Sequence, residues 1–474
     1  MQPVVTPEEM AAIDAAAPEP VDVLIGRAGA ATAREALQIL RGTYGRRVVV
    51  VAGKGNNGND GRDAAARLAR RGVQVVVVPA GSPLPPLPGP VDLVVDAAYG
   101  TGFRGEYRAP AHPALEGVPV LAVDIPSGVD GLTGAVAGSP AQAVRTVTFA
   151  AEKPGLLFPP GRELAGEVVV ADIGLDVSGW SIGHVGADDV AGWVPARPVT
   201  SHKWKAAVLL VAGSPGMTGA AHLAARAAQR CGAGMVRVAS PGLGFDPGLP
   251  TEAVGVPGVE RDDWDAVVKG QLARAGALVV GPGLGTESAT ESAVRRLVVA
   301  ASDVPTVVDG DGLTALGADA ALVLSGRAVP AVLTPHDGEF ARLAGGPPAP
   351  DRIAAARHLA ARMGAVVLLK GPTTVVAHPE GRARLVTEGD QRLATAGTGD
   401  VLSGCIGALL ARGIEPFVAA SAGAWLHGAA AHRGSTEGLI AGDVVEALPA
   451  TLASLRSPRP GAAAQEVLGG QSVG

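Results

Sequence analysis

A chain of 474 residues exceeds what one hydrophobic core usually serves, so two or three domains are expected. Its 47% apolar content excludes global disorder, and a net charge of −6 gives no footprint for nucleic acid. Apolar runs are strand-sized, far short of the roughly 20 residues that cross a bilayer, so no membrane is expected. Aromatic residues are only 3%, which leaves Ala, Val and Leu to build the cores, as in parallel sheets covered by small-residue helices. No basic stretch precedes an apolar one near Met1, so no secretory signal is read. Cys231 and Cys405 lie in small-residue helical contexts and read as inert core thiols, which fits a reducing cytoplasm.

Thr6, Pro7 and Glu9 form a helix start signal, and a second helix is expected over 28–40. From residue 47 the pattern turns into strand (48–52), Gly-rich turn (53–61), helix (63–71) and strand (73–78), a βαβ unit. Strand-like runs follow at 91–95, 118–123, 143–149 and 168–171. The prolines of 192–198 break the periodicity, and the alternation restarts at 206–211. It continues through 277–280, 306–308, 329–333 and 365–369, then ends in helices after Gly399 and near 418–431. The expected organisation is therefore an α/β domain over 1–192, a linker at 193–200, a second doubly wound α/β domain over 201–456 and a disordered tail at 457–474.

Gly53-Lys54-Gly55-Asn56-Asn57-Gly58-Asn59-Asp60-Gly61 stands between a buried strand and a helix. Its glycines let backbone N–H groups approach a pyrophosphate, but the next strand ends Val78-Pro79-Ala80 without the acidic residue of an ordinary NAD site. Asn56, Asn57, Asn59 and Asp60 supply directed donors and acceptors that a turn alone does not need. Asp96, Asp124 and the Glu152-Lys153 pair also follow strands, and ligands in open parallel sheets bind beyond strand carboxyl ends.

The loop Gly-Asn-Asn-Gly-x-Asp-Gly, the Gly-Thr-Gly after Asp96 and Asp124-Ile125-Pro126-Ser127-Gly128 resemble the N-terminal domain of the NAD(P)H-hydrate repair enzymes, a Rossmann-like three-layer sandwich that acts as an NAD(P)HX epimerase. The resemblance covers roughly residues 1–190. It implies a hydrate site lined by Asn56, Asn57, Gly58, Asn59 and Asp60 and by Gly100, Thr101, Gly102, Phe103, Arg104, Gly105 and Glu106. It also implies Asp124 as acid/base, and Asn57, Asp96 and Ser127 around a potassium ion.

In the second half, Ala396-Gly397-Thr398-Gly399-Asp400 opens a small-residue helix whose free N–H groups form an anion site with a carboxylate in the first turn. Lys370-Gly371-Pro372-Thr373-Thr374 follows a strand. Thr334-Pro335-His336-Asp337 follows another and reads as a cap with Thr334 at N-cap, Pro335 at N1 and Asp337 closing a capping box, leaving His336 for a ligand. Gly281-Pro282-Gly283-Leu284-Gly285 and Asp309-Gly310-Asp311-Gly312 also punctuate strand ends, and no P-loop pattern occurs.

These motifs, with Ser201-His202-Lys203 and Gly219-Ala220, resemble the ribokinase-like domain of ADP-dependent NAD(P)H-hydrate dehydratases over roughly residues 200–455. The resemblance implies that Lys370, Gly371, Pro372, Thr373, Thr374 and Gly399 contact ADP, which brings Mg²⁺. It further implies that Ala220, Gly283, His336 and Asp400 contact the hydrate, with Asp400 catalytic. NADHX or NADPHX and ADP are then the small-molecule partners, and a homo-oligomer is expected. Two alternatives stand beside this reading: a small-molecule kinase of the same fold, and a non-catalytic ligand-binding or assembly role for the first domain. Gly179-Trp180-Ser181-Ile182-Gly183 matches a hydrolase nucleophile elbow, but the residues after Ser181 do not start a helix, and the match reads as false.

Overall fold

The computed structural model describes residues 1–87 and 89–456; the tail expected to be disordered, 457–474, lies outside the described residues. The chain divides into two compact units, one of residues 2–184 with 350–352 and the other of Met1, 185–349 and 353–456. The division falls earlier than the proline-rich break because Val185, Val190 and Val194 are fully buried in the core of the second unit. Among the described residues no helix is long and apolar enough to cross a membrane.

In the first unit, helix α1 (Pro7–Ala16) opens on the expected capping box between Thr6 and Glu9, and α2 runs from Val21 to Leu40. Strands β1 (Arg47–Ala52) and β2 (Gln74–Pro79) flank helix α3 (Asn56–Arg70). Next come β3 (Leu93–Ala97), β4 (Val120–Val123), β5 (Arg145–Phe149) and β6 (Glu167–Ala171). They form a six-stranded parallel sheet in the order β2-β1-β3-β4-β5-β6. Both faces of β1 are covered: Val48, Val50 and Ala52 join the core with α2 and α3, while Val49 and Val51 join a second core that includes Tyr107. Burial on both sides is why the strand reads as an unbroken Val run rather than an alternation.

The second unit holds β7 (Ala207–Val211), α4 (Thr218–Arg230), β8 (Met235–Ala239), β9 (Ala253–Gly255), β10 (Ala277–Val280), β11 (Thr306–Val308) and β12 (Val332–Leu333). Helix α5 (Asp337–Ala344) precedes β13 (Val366–Leu369), β14 (Thr374–Ala377) and β15 (Ala383–Val386), and α6 (Thr398–Ala411) and α7 (Pro416–Ala431) follow. The strand order is β15-β14-β13-β12-β11-β10-β7-β8-β9, parallel except for the antiparallel β13-β14-β15 meander. Small residues let α4 and α6 approach closely: a Cβ at Gly404 would sit 2.2 Å from the Ala224 carbonyl oxygen.

Two elements differ from the sequence reading. Helix α3 starts inside the Gly-Asn loop at Asn56 rather than at residue 63, with Gly55 as its N-cap. The cap of α5 is His336 rather than Thr334: its Nδ1 accepts from the Gly338 and Glu339 N–H groups, while Glu339 accepts from the His336 N–H. Thr334 is instead buried and donates to Asp309 Oδ1 at 2.7 Å, a partner distant in sequence. Gly179–Gly183 leads into the short strand Ile182–His184, not a strand-to-helix elbow. Cys231 and Cys405 are both buried free thiols.

Candidate active sites

In the first unit the carboxyl ends of the parallel strands open on a cavity of about 880 Å³. The chain turns from β1 into α3 so tightly that a Cβ at Gly58 would lie 2.0 Å from the Gly53 carbonyl oxygen, which excludes any other residue there. That turn directs Asn56, Asn57 and Asp60 into the cavity wall. Opposite, Gly100 lies between two of the expected groups: its Cβ would sit 3.3 Å from Asp124 Oδ2 and 3.6 Å from Asn57 Cγ.

Asp124 follows β4 with φ of 66°, a left-handed conformation that a side chain rarely adopts and that ordinarily persists only where the surroundings enforce it. Its carboxylate meets the Lys153 ammonium at 2.8 Å and accepts from Thr148 Oγ1 at 3.2 Å. Lys153 is 1% exposed and also donates to Thr148 Oγ1 and the Phe149 carbonyl, so its stem and head are fixed. Burial pushes the Asp60 carboxyl up to about 8, and the neighbouring charges of Asp124, Asp63 and Asp14 add to it. Burial, then Asp124, raises Asp14 as well, against the pull of Lys153. The cavity thus holds an ionised pair beside two carboxyls that keep their protons more readily than in water, a composition suited to proton exchange.

Asp96 is buried beneath this wall. Ser127 Oγ donates to its Oδ1 at 2.7 Å and the Ser127 N–H to its Oδ2 at 2.9 Å. Asn57 carries buried Oδ1 and Nδ2 atoms without a hydrogen-bond partner. Gly58, Asn59, Gly105 and Glu106, all expected to line the site, are not on the cavity wall: Asn59 accepts from Arg62, and Glu106 pairs with Arg108. Asp14 and Lys153 complete the site and were not singled out as site residues. Lys153 was visible only as part of a post-strand Glu-Lys pair, and nothing local marks Asp14, which arrives from α1.

The second unit gathers its motifs around Asp309, after β11. Lys370 Nζ reaches Asp309 Oδ1 at 2.8 Å, Thr334 Oγ1 the same oxygen at 2.7 Å, and Ser403 Oγ reaches Oδ2 at 2.6 Å. Burial opposes ionisation of Asp309, but the Lys370 charge and these three hydrogen bonds outweigh it and hold the carboxyl below its usual range. Desolvation opposes the charge on the half-buried Lys370 ammonium, but Asp309, with Glu339 3.7 Å away, outweighs it and raises the group above its usual value. A Cβ at Gly399 would lie 3.6 Å from Lys370 Nζ, so the ammonium rests against the first turn of α6.

Asp400 occupies that turn. Burial raises its carboxyl to about 7, Asp309 and Asp311 adding repulsion and Lys370 opposing. Gly397, with φ of 90°, caps α6 without a side-chain partner, leaving the helix N-terminal N–H groups beside Asp400 and Lys370. Gly283, with φ of 62°, approaches Ala220 so closely that a Cβ would meet its methyl at 2.8 Å, bringing these two expected residues together. The Lys370 N–H donates to the Pro335 carbonyl, tying the segment Lys370–Thr374 to the one bearing His336, whose ring is exposed. Asp309 is the organising residue that motif reading passed over as a strand-end turn.

Over residues 208–451 the chain matches the family described as NAD(P)H-hydrate dehydratase, and over 21–89 and 80–155 the family described as YjeF-related protein N-terminus. It is 37% identical to the bifunctional NAD(P)H-hydrate repair enzyme of Moorella thermoacetica, covering 86% of this chain and 88% of the relative. It is 36% identical to the enzyme so named in Escherichia coli K12, covering 90% and 88%. A solved ribokinase-like superfamily protein from Enterococcus faecalis V583 superposes with a TM-score of 0.52 at 22% identity, over 59% of this chain and 98% of that one, which supports the fold. Relatives named as repair enzymes along most of both chains do not favour a kinase. The chain belongs to the bifunctional NAD(P)H-hydrate repair enzymes.

Proposed function

We propose that the chain repairs hydrated nicotinamide cofactors in two steps, epimerising R and S NAD(P)HX in the first unit and dehydrating the S epimer with ADP in the second. The observation that carries the reading is Asp400: a carboxyl raised to about 7 beside a helix N-terminus and the half-buried Lys370 ammonium. Such a group is a base near neutral pH placed where phosphate charge is stabilised.

In the dehydration, Asp400 takes the proton of the ring hydroxyl as that oxygen bonds to the β-phosphorus of ADP and the bond to AMP breaks. N–H groups at Gly397 and Gly399 and the Lys370 ammonium stabilise the transferred phosphoryl. The carbon–oxygen bond then breaks, phosphate leaves, and loss of a proton from the adjacent ring carbon restores the dihydronicotinamide. Gly371, Pro372, Thr373 and Thr374 hold the nucleotide and Ala220, Gly283 and His336 the hydrate. Magnesium enters as part of the MgADP co-substrate.

In the epimerisation, Asp124, oriented by Lys153 and Thr148, takes the hydroxyl proton as the C–O bond becomes a carbonyl and the bond from that carbon to the ring nitrogen breaks; the nitrogen then re-adds to the other carbonyl face and Asp124 returns the proton to oxygen. The unpartnered Asn57 amide oxygen and the Asp96–Ser127 pair, whose carboxyl burial raises against its hydrogen bonds to Ser127, are oxygen donors of the kind a potassium ion takes, and these three residues would hold it. Bound there, such an ion would supply positive charge to the site.

The test mixes the protein with both NADHX epimers, ADP and Mg²⁺ and follows NADH absorbance beside an Asp400→Ala control. Recovery of NADH with AMP and phosphate, lost in the control, supports the reading. Nucleotide turnover that yields a phosphorylated alcohol instead would move it to a kinase.

A further inference from the structure

The first cavity has mixed walls, with apolar side chains such as Leu24, Phe149 and Leu175 beside charged ones. One end is acidic, with Asp14, Asp60 and Asp124. The other, beyond β2, is walled by Pro79 and Ala80, and Lys54 and Arg62 line the same cavity. Arg62 Nη1 donates to Asn59 Oδ1 at 3.1 Å and Nη2 to the Gly53 carbonyl at 2.6 Å. Both acceptors are uncharged, so they orient the guanidinium without neutralising it. Neither Arg62 nor Lys54 has a carboxylate partner among the described residues, whereas Arg67 on the same helix is paired with Asp63. The sequence contains no Asp or Glu between Asp63 and Asp92, so the end of β2 offers no acceptor to a free ribose hydroxyl.

The sheet order adds direction. The chain leaves β1 to β2 on one side and to β3 on the other, so the crevice beside β1 is the topological switch point where the two halves of a dinucleotide divide. A phosphate gains nothing at the end that holds Asp14, Asp60 and Asp124, and the reacting ring needs Asp124 there. The adenosine half therefore points to β2. In dinucleotide sites an acidic residue at that strand end selects the ribose hydroxyl, and an arginine accommodates a 2′-phosphate.

We propose that Arg62, braced by Asn59 and assisted by Lys54, binds the 2′-phosphate of the hydrate, so that the epimerase site prefers NADPHX to NADHX. This rests on the epimerase reading above. The test uses the full chain carrying Asp400→Asn, so that hydrate is not consumed, and measures R-to-S conversion of each hydrate. The expected result is a kcat/KM about tenfold higher for NADPHX, as a charge-assisted contact gives. Arg62→Gln should raise KM for NADPHX by about tenfold with kcat unchanged and leave NADHX within about twofold. Equal losses on both hydrates, or no preference in the parent, would overturn the proposal.

A second measurement separates the subsite from the chemistry. Adenosine 2′,5′-bisphosphate and 5′-AMP are titrated against the parent and Arg62→Gln. Selective weakening of the bisphosphate supports the subsite even if neither hydrate is epimerised, in which case the catalytic reading fails instead. Indifference of the bisphosphate to Arg62 refutes the subsite.

Discussion

Asp400→Asn removes a carboxyl that the folded chain holds at about 7, raised from 3.8 by burial first and by Asp309 second, against the pull of Lys370. Ionising it in the fold is about three decades harder than in the unfolded chain, which at 1.36 kcal/mol per decade costs about 4 kcal/mol. The folded state keeps the proton more tightly, so the stability this group contributes is fully present below pH 3.8 and is lost as pH rises through about 7. Asn carries no such cost. The variant should therefore match the parent near pH 4 and exceed it increasingly up to pH 8, by at most about 4 kcal/mol and less as the attraction to Lys370 is forfeited. Urea unfolding followed by tryptophan fluorescence reads this, because Trp193, Trp204, Trp264 and Trp425 all lie in the second unit and only Trp180 in the first. Dehydration should fall at least ~100-fold in the same variant, and in the parent its rate should climb with pH through about 7. A stability difference that does not grow with pH would mean that Asp400 ionises as in water, and the argument for its role as base would fall.

Lys370→Gln leaves the Asp309 carboxylate buried without its cation, which should destabilise the second unit by about 3–5 kcal/mol, whereas Lys370→Gln with Asp309→Asn should recover much of the loss. Urea midpoints compare the two, and a single variant within ~1 kcal/mol of the parent would contradict a stabilising pair. Gly58→Ala drives a methyl into the Gly53 carbonyl, so epimerisation should vanish while dehydration of purified S hydrate continues. Retained epimerisation in that variant would show that the loop can relax.

The alternation of strand, Gly turn and helix was legible because parallel strands buried on both faces leave unbroken Val runs, and the start of α1 because Thr6 and Glu9 satisfy each other locally. Asp124 and Asp400 were visible as carboxylates after a strand and in a helix first turn. The cap of α5 was misread because Thr334 has the local chemistry of a cap, yet its hydroxyl is claimed by Asp309, which only the fold brings near. The start of α3 was missed because Gly and Asn signal a turn, whereas the tight approach at Gly58 lets them open a helix. Asp14 and Lys153 enter the first site from α1 and from beyond β5, and spacing carries no trace of that meeting. Asp309 reads as one of many Asp-Gly turns until its three hydrogen-bond donors are seen together.

Two separate sites acting in series on one substrate leave a kinetic signature. The most direct measurement supplies the R hydrate alone with ADP and Mg²⁺ and follows NADH for the parent and Asp124→Asn. Sites in series give full conversion by the parent, conversion by the variant only at the spontaneous exchange rate, and equal rates for both on the S hydrate. Conversion of the R hydrate at the parental rate by Asp124→Asn would contradict action in series.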